Sequence, residues 1–110
     1  MKSAVISVGG NDYQVIFHRD KANAKAPTMV YVNQVGNSSI GAYVYTIGKG
    51  TETYTSVLQQ GESMTIQDLA ANLGRVLTRR FAAPSYVCMS GSLSMYDYGE
   101  VSSFVVAQCM

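Results

Sequence analysis

At 110 residues the chain has room for one domain, spanning 1–110, with a single modest core. Apolar residues make up 47% of it and charged residues only 14%, against about a quarter in ordinary soluble domains, so much of the surface must be uncharged, which suits either cover by another protein or a plain tyrosine-rich β domain. The net charge of +1 is spread over scattered basic residues, which gives no footprint for nucleic acid, and no stretch approaches membrane-spanning length.

In chain order, Ala4 to Val8 reads as a strand, Gly9-Gly10-Asn11-Asp12 as a turn and Tyr13 to Phe17 as a second strand. The opening residues hold too short an apolar run for a secretory signal, so an intracellular, reduced chain is expected. The Asn37-Ser38-Ser39 sequon then reads as a turn. His18 to Lys25 is polar and charged, and is the segment expected to be most mobile. Thr28 to Gln34, Ile40 to Ile47 and Thr53 to Leu58 follow, separated by the turns Gly36-Asn37-Ser38 and Gly48-Lys49-Gly50. Rich in Val, Ile, Tyr and Thr, they read as an antiparallel meander.

Alternation divides that meander into two faces. A hairpin with its tip at Gly36–Ser38 sets Val35 near Ser39, Val32 opposite Ala42 and Val30 opposite Val44; with Ile40 these form an aliphatic face. Met29, Tyr31, Tyr43, Tyr45 and Ile47 fall on the other face.

The next element is a helix over about 65–81, with Ile66, Leu69, Ala70, Leu73, Val76 and Leu77 at three- and four-residue spacings. Thr65 reads as its N-cap with Asp68 as capping-box partner, and Met64 as a hydrophobic staple on Leu69. Arg79 and Arg80 suit the negative pole, and Pro84 limits continuation. The helix covers the aliphatic face. The Tyr/Met face then needs either further strands of this chain or a second protein, and the second is favoured because few strands remain. Ser85 to Met89 and Ser102 to Cys109 read as a final hairpin around a loop at 94–100, with Cys88 and Cys109 as unpaired strand thiols. The fold class is thus α+β: an antiparallel sheet or open sandwich of about six or seven strands with one main helix.

No constellation for catalysis stands out. One histidine, His18, rules out a multi-histidine metal site and leaves no triad; His18 with Asp20 reads as solvated loop charge. Gly48-Lys49-Gly50-Thr51 lacks the spacing of a phosphate loop, and Cys88 lacks a histidine partner in sequence. No catalytic residue, metal ligand or cofactor is expected.

The order of elements from Tyr13 onward resembles the family of proteasome assembly chaperones 3 and 4, on the chaperone 4 side. The resemblance rests on Val15-Ile16-Phe17-His18, Met29-Val30-Tyr31-Val32, Gly41-Ala42-Tyr43-Val44-Tyr45 and Ser56-Val57-Leu58. It continues through the helix body Leu69-Ala70-x-x-Leu73-x-Arg75-Val76-x-x-Arg79 and the strand Pro84-Ser85-Tyr86-Val87-Cys88-Met89-Ser90. One departure is that the human-type family member continues past the last strand into a C-terminal helix, whereas this chain stops at Ala107-Gln108-Cys109-Met110. The resemblance implies a non-catalytic chaperone that pairs with a sister chaperone, as a heterodimer or else a homodimer. It further implies assistance to the α-ring of the 20S proteasome by binding α subunits, notably the α5 type, in the cytoplasm, with the nucleus as a second location. On that reading the pairing face carries Met29, Tyr31, Tyr43 and Tyr45. A loop-rich edge holds the client, with Arg19 and Lys21 from one loop and Tyr96 and Tyr98 from another as candidates. A profilin-like or roadblock-like interaction module is the alternative.

Overall fold

The computed structural model describes all 110 residues. Six strands, β1 (Lys2–Val8), β2 (Asn11–His18), β3 (Thr28–Gln34), β4 (Ala42–Lys49), β5 (Glu52–Gln59) and β6 (Ser85–Ser90), form one sheet. Two helices, α1 (Met64–Phe81) and α2 (Met95–Cys109), complete the chain. The α+β class holds, with a mixed sheet and a second helix.

The sheet order is β1-β2-β3-β6-β4-β5. The first three strands make an antiparallel meander whose opening turn places Gly9 and Gly10 both at positive φ (59° and 80°), the backbone a two-residue primed hairpin requires. The meander expected from Thr28 to Leu58 is broken. β6 lies between β3 and β4, parallel to the first and antiparallel to the second. Residues 35–41 therefore arch over the end of β6 instead of closing a hairpin. Val35 and Ile40 are exposed in this arch, so Ile40 leaves the aliphatic face assigned to it. The cross-strand alignments nevertheless survive with one strand inserted: Val30–Val87–Val44 and Val32–Met89–Ala42 each run in line across the sheet.

Helix α1 begins earlier than the capping pattern suggests. Ser63 is the N-cap, its Oγ accepting from the Ile66 N–H at 3.1 Å, because the serine in extended backbone precedes Thr65 with a side chain of the same capacity. Met64 stays two-thirds exposed and staples nothing. Ile66, Leu69, Ala70, Leu73, Gly74, Leu77 and Thr78 are buried. Val76 is not, since a residue two positions from both Gly74 and Thr78 faces away from them. Gly74 lets the helix touch the sheet: a Cβ there would sit 2.6 Å from Thr46 Oγ1. Around that contact the Ser85 Oγ donates to the Gly74 carbonyl at 2.9 Å and the Thr78 Oγ1 donates to the Thr46 carbonyl at 3.3 Å. The helix ends at Ala82 in left-handed backbone, with Arg79 and Arg80 in the last turn.

The segment read as a final loop and strand is α2. Its N-cap Ser94 accepts from the Asp97 N–H at 3.2 Å, and Val101, Val105 and Cys109 recur every fourth residue on the buried side. Cys109 is thus a buried helical thiol, while Cys88 lies in β6; both are free.

α1 lies over β4 and β6, and α2 over β1 and β2, on the same side of the sheet. One core results, in which Tyr13, Val15, Val30, Val32, Val44, Leu73, Leu77, Val87, Val101 and Val105 are essentially inaccessible. The other side of the sheet carries no element of the chain.

Candidate binding face

The uncovered side is where the candidate site lies. Strand alternation sends Met29 and Tyr31 of β3, and Tyr43 and Tyr45 of β4, to this side, and all four are half-buried. The sequence placed them on neighbouring strands. The structure instead separates them by β6, which contributes Tyr86 and Cys88: Met29–Tyr86–Tyr45 form one cross-strand row and Tyr31–Cys88–Tyr43 the next. Tyr86 was missed because its neighbours depend on where β6 inserts. The period-2 pattern Ser85-Val87-Met89 against Tyr86-Cys88-Ser90 is the signal that marks its face.

Tyr86 is the centre of an aromatic cluster. Its ring lies 4.6 Å from that of Tyr45 and 6.2 Å from that of Tyr43, tilted by 37° and 50°, so the rings avoid the unfavourable face-to-face sandwich at contact distance. Burial, and next the neighbouring Tyr31, push the Tyr43 phenol up, and burial pushes the Cys88 thiol up. Both shifts favour the neutral form, and Cys88 is a packed thiol without thiolate character. Towards β5 the face continues through Ile47 and Tyr54, which oppose each other across the β4–β5 pair. Towards β1 it turns more polar, with Gln14, Asp12, Ser3 and Ser7, around Val5 and Ile16. An apolar, neutral, tyrosine-rich centre with polar hydroxyl tips is chemistry for protein binding, since each ring offers contact area and retains a hydrogen-bonding group for a wet rim.

The four client-contact candidates do not gather. Arg19 is committed inside the molecule: its Nε donates to the Cys109 carbonyl at 2.7 Å, and its guanidinium stands 4.2 Å from the centre of the Phe81 ring. Lys21 is exposed in a loop turned by Asp20, whose Oδ1 accepts from the Ala22 N–H at 3.0 Å. Tyr96 and Tyr98 sit in the first turn of α2, some 20 Å from Cys109 at 1.5 Å rise per residue. Tyr96 is 97% exposed. Tyr98 is half-buried, donates to Asn72 Oδ1 at 2.6 Å, and has its phenol pushed up to about 12 by burial, against a smaller lowering by Arg75. The candidates thus form two separate spots at opposite ends of α2, both away from the open face.

Elsewhere, no group of three or more His, Cys, Asp or Glu side chains comes together. No helix is long and apolar enough to cross a membrane. A hollow of about 560 Å³ lies on the helix side between the β4–β5 turn and the end of α1, lined by Gly48, Thr53, Thr78, Arg79 and Pro84.

A single open sheet backed by two helices, with a neutral aromatic face left bare, defines a binding module of protein–protein type. Comparison with known proteins says which. Residues 2–107 match the family of 20S proteasome chaperone assembly proteins 3 and 4, and the chain belongs to that family, which makes it a 20S proteasome assembly chaperone. Its fold is shared with a chain in the crystal structure of a chaperone complex for yeast 20S proteasome assembly, at a TM-score of 0.62 and 22% identity, over 98% of this chain and 88% of that one. No curated protein sequence matches. The profilin-like or roadblock-like alternative gives way to the family.

Proposed function

We propose that this chaperone works by binding alone, without catalysis, and that its open sheet face pairs with a sister chaperone of the same family to make a heterodimer. The observation that carries this is the bare face itself. Met29, Tyr31, Tyr43, Tyr45 and Tyr86 form a continuous half-buried aromatic surface that no element of the chain covers. Exposed apolar area of this kind is a liability in an isolated domain and an asset in a paired one. In the assembled pair the two sheets stack face to face, with the tyrosines between them.

The pair assists formation of the 20S α-ring by holding α subunits, of which the α5 type is the first to test, and it acts in the cytoplasm, with the nucleus as a second location. Within the family the chain takes the chaperone 4 role. The helix body Leu69-Ala70-x-x-Leu73 and the strand Tyr86-Val87-Cys88-Met89-Ser90 support that placement.

Size-exclusion chromatography with light scattering tests the pairing. The chain co-expressed with a chaperone 3-type sister elutes as a 1:1 complex, and Tyr43→Asp with Tyr45→Asp abolishes it while circular dichroism and the unfolding midpoint stay near those of the parent. A parent chain that remains a monodisperse monomer over a wide concentration range, with and without the sister, would falsify the pairing. A self-associated species that ignores the sister would replace the heterodimer by a homodimer.

A further inference from the structure

Pairing through the open face leaves one surface unused, the free edge of β5. This strand ends the sheet and is hydrogen-bonded on one side only, to β4. It pairs regularly from Glu52 to Val57; beyond a bulge the Gln59 Nε2 donates to the Gly41 carbonyl at 2.8 Å and closes that end. No β5 residue is buried, because α1 lies over β4 and β6 and reaches β5 only at its margin. On the outer side its main-chain N–H and C=O groups meet no other backbone of the chain.

Sheet edges are normally blunted by lysine, proline or a covering element. β5 has none of these. Thr53-Tyr54-Thr55-Ser56-Val57-Leu58 is neutral and rich in strand formers, and the one charge, Glu52 at its start, already accepts from the Tyr54 hydroxyl at 2.7 Å. The opposite edge differs: β1 opens on Lys2 and ends on the buried Val8.

We infer that the β5 edge takes an extended segment of the 20S subunit being assembled and adds it to the sheet as a further strand. This rests on the proposed reading, in which the sister chaperone occupies the open face. The edge offers main-chain donors and acceptors at strand spacing, which only an extended segment satisfies along its length. Tyr54 and Ser56 flank it on the open side, and Thr53, Thr55 and Val57 on the helix side. The segment recognised is therefore free of proline, mostly neutral, and β-branched or aromatic at alternate positions, with a lysine or arginine favoured opposite Glu52. Tyr54 opposes Ile47, so the edge runs on from the aromatic face, and a strand added there abuts the sister as well.

Hydrogen–deuterium exchange on the full chain, co-expressed with its sister and then mixed with an isolated α subunit, tests this. The amides of 52–59 slow at least about tenfold on adding the subunit, while those of β1 do not change. Val57→Lys, exposed on the helix side and off the open face, weakens capture of the α subunit at least about tenfold and leaves sister pairing intact, whereas Val57→Thr retains capture. Binding with unchanged exchange in β5, or capture by Val57→Lys as strong as by the parent, overturns the edge assignment and leaves the chaperone pair standing. Failure of the sister-paired parent to bind any α subunit overturns both the client reading and this one.

Discussion

The two faces of the one sheet are built from the same backbone and have opposite chemistry. On the helix side Val30, Val32, Ala42, Val44 and Val87 are fully buried under Leu69, Leu73 and Leu77. On the open side their immediate neighbours in sequence, Met29, Tyr31, Tyr43, Tyr45 and Tyr86, remain half-exposed. Small branched side chains let a helix approach closely, which Gly74 takes to the limit of contact with Thr46. Long aromatic ones hold a partner further off and keep a polar tip at the surface. The comparison separates stability from recognition: one side should govern whether the chain folds, and the other what the folded chain meets.

Breaking the covered side has the largest effect. Leu73→Ala removes a fully buried side chain and should cost about 2–5 kcal/mol in chemical denaturation, with pairing lost through unfolding. Gly74→Ala comes next and carries a diagnostic sign. An alanine in a helix interior ordinarily gains about 1 kcal/mol over glycine, but here its Cβ would meet Thr46, so a net loss of about 1–3 kcal/mol is expected. A stabilised variant would show that the helix stands further from the sheet. Tyr98→Phe, which gives up the hydrogen bond to Asn72 between the two helices, should cost about 0.5–1.5 kcal/mol.

Alkali probes the same side. The Cys109 thiol is pushed up to about 11 from an ordinary 9.0 by burial, against a lowering by Arg19, and Tyr98 to about 12 from 10.0. Both groups are neutral in the fold, and their contributions are complete below the unfolded values. Stability is therefore lost as pH rises from about 9 through 11 for the thiol, and from about 10 through 12 for the phenol. Replacing Cys109 by alanine should make the loss of stability above about pH 9 shallower, and replacing Cys88 as well should move its onset towards about 10. The smallest stability effect belongs to the open side. Tyr86→Asp should change the unfolding free energy by no more than about 1 kcal/mol and yet weaken sister pairing more than about tenfold. If it instead unfolds the chain, the division between the faces fails.

What the sequence made legible follows this division. β3 was bounded to the residue, and the inward and outward sets of β3 and β4 fell as expected, because period-2 alternation is a local property of the strand. α1 was legible through its stripe, though its cap was read two residues late. The position of β6 was not legible. Gly36-Asn37-Ser38 carries the chemistry of a hairpin tip, and nothing local says that a strand fifty residues on will enter between its arms. α2 was misread because Val101, Phe104, Val105 and Val106 favour a strand locally, and tertiary packing overrode them. The Ser94 cap and the spacing Tyr98, Val101, Val105, Cys109 were the signals that could have found it. Within the candidate site, the residues proposed for pairing share a face because alternation decides it. The client residues lie apart because loop and helix ends are placed by packing, as Arg19 shows in its contacts with Cys109 and Phe81.

The insertion of β6 also has a consequence in time. The chain up to Pro84 contains a three-strand meander and a separate hairpin, and no sheet hydrogen bond joins them until β6 arrives. Pairings so distant in sequence are late events in folding. During synthesis the tyrosines of β3 and β4 therefore stay on two unconnected pieces until Tyr86 and Cys88 bridge them, and the recognition surface comes into being only with a finished chain. A chain cut after Pro84 should show no shared protection between the amides of β3 and β4, and should be ignored by the sister. On the proposed reading, pairing through this face would have to wait until β6 has joined the two pieces.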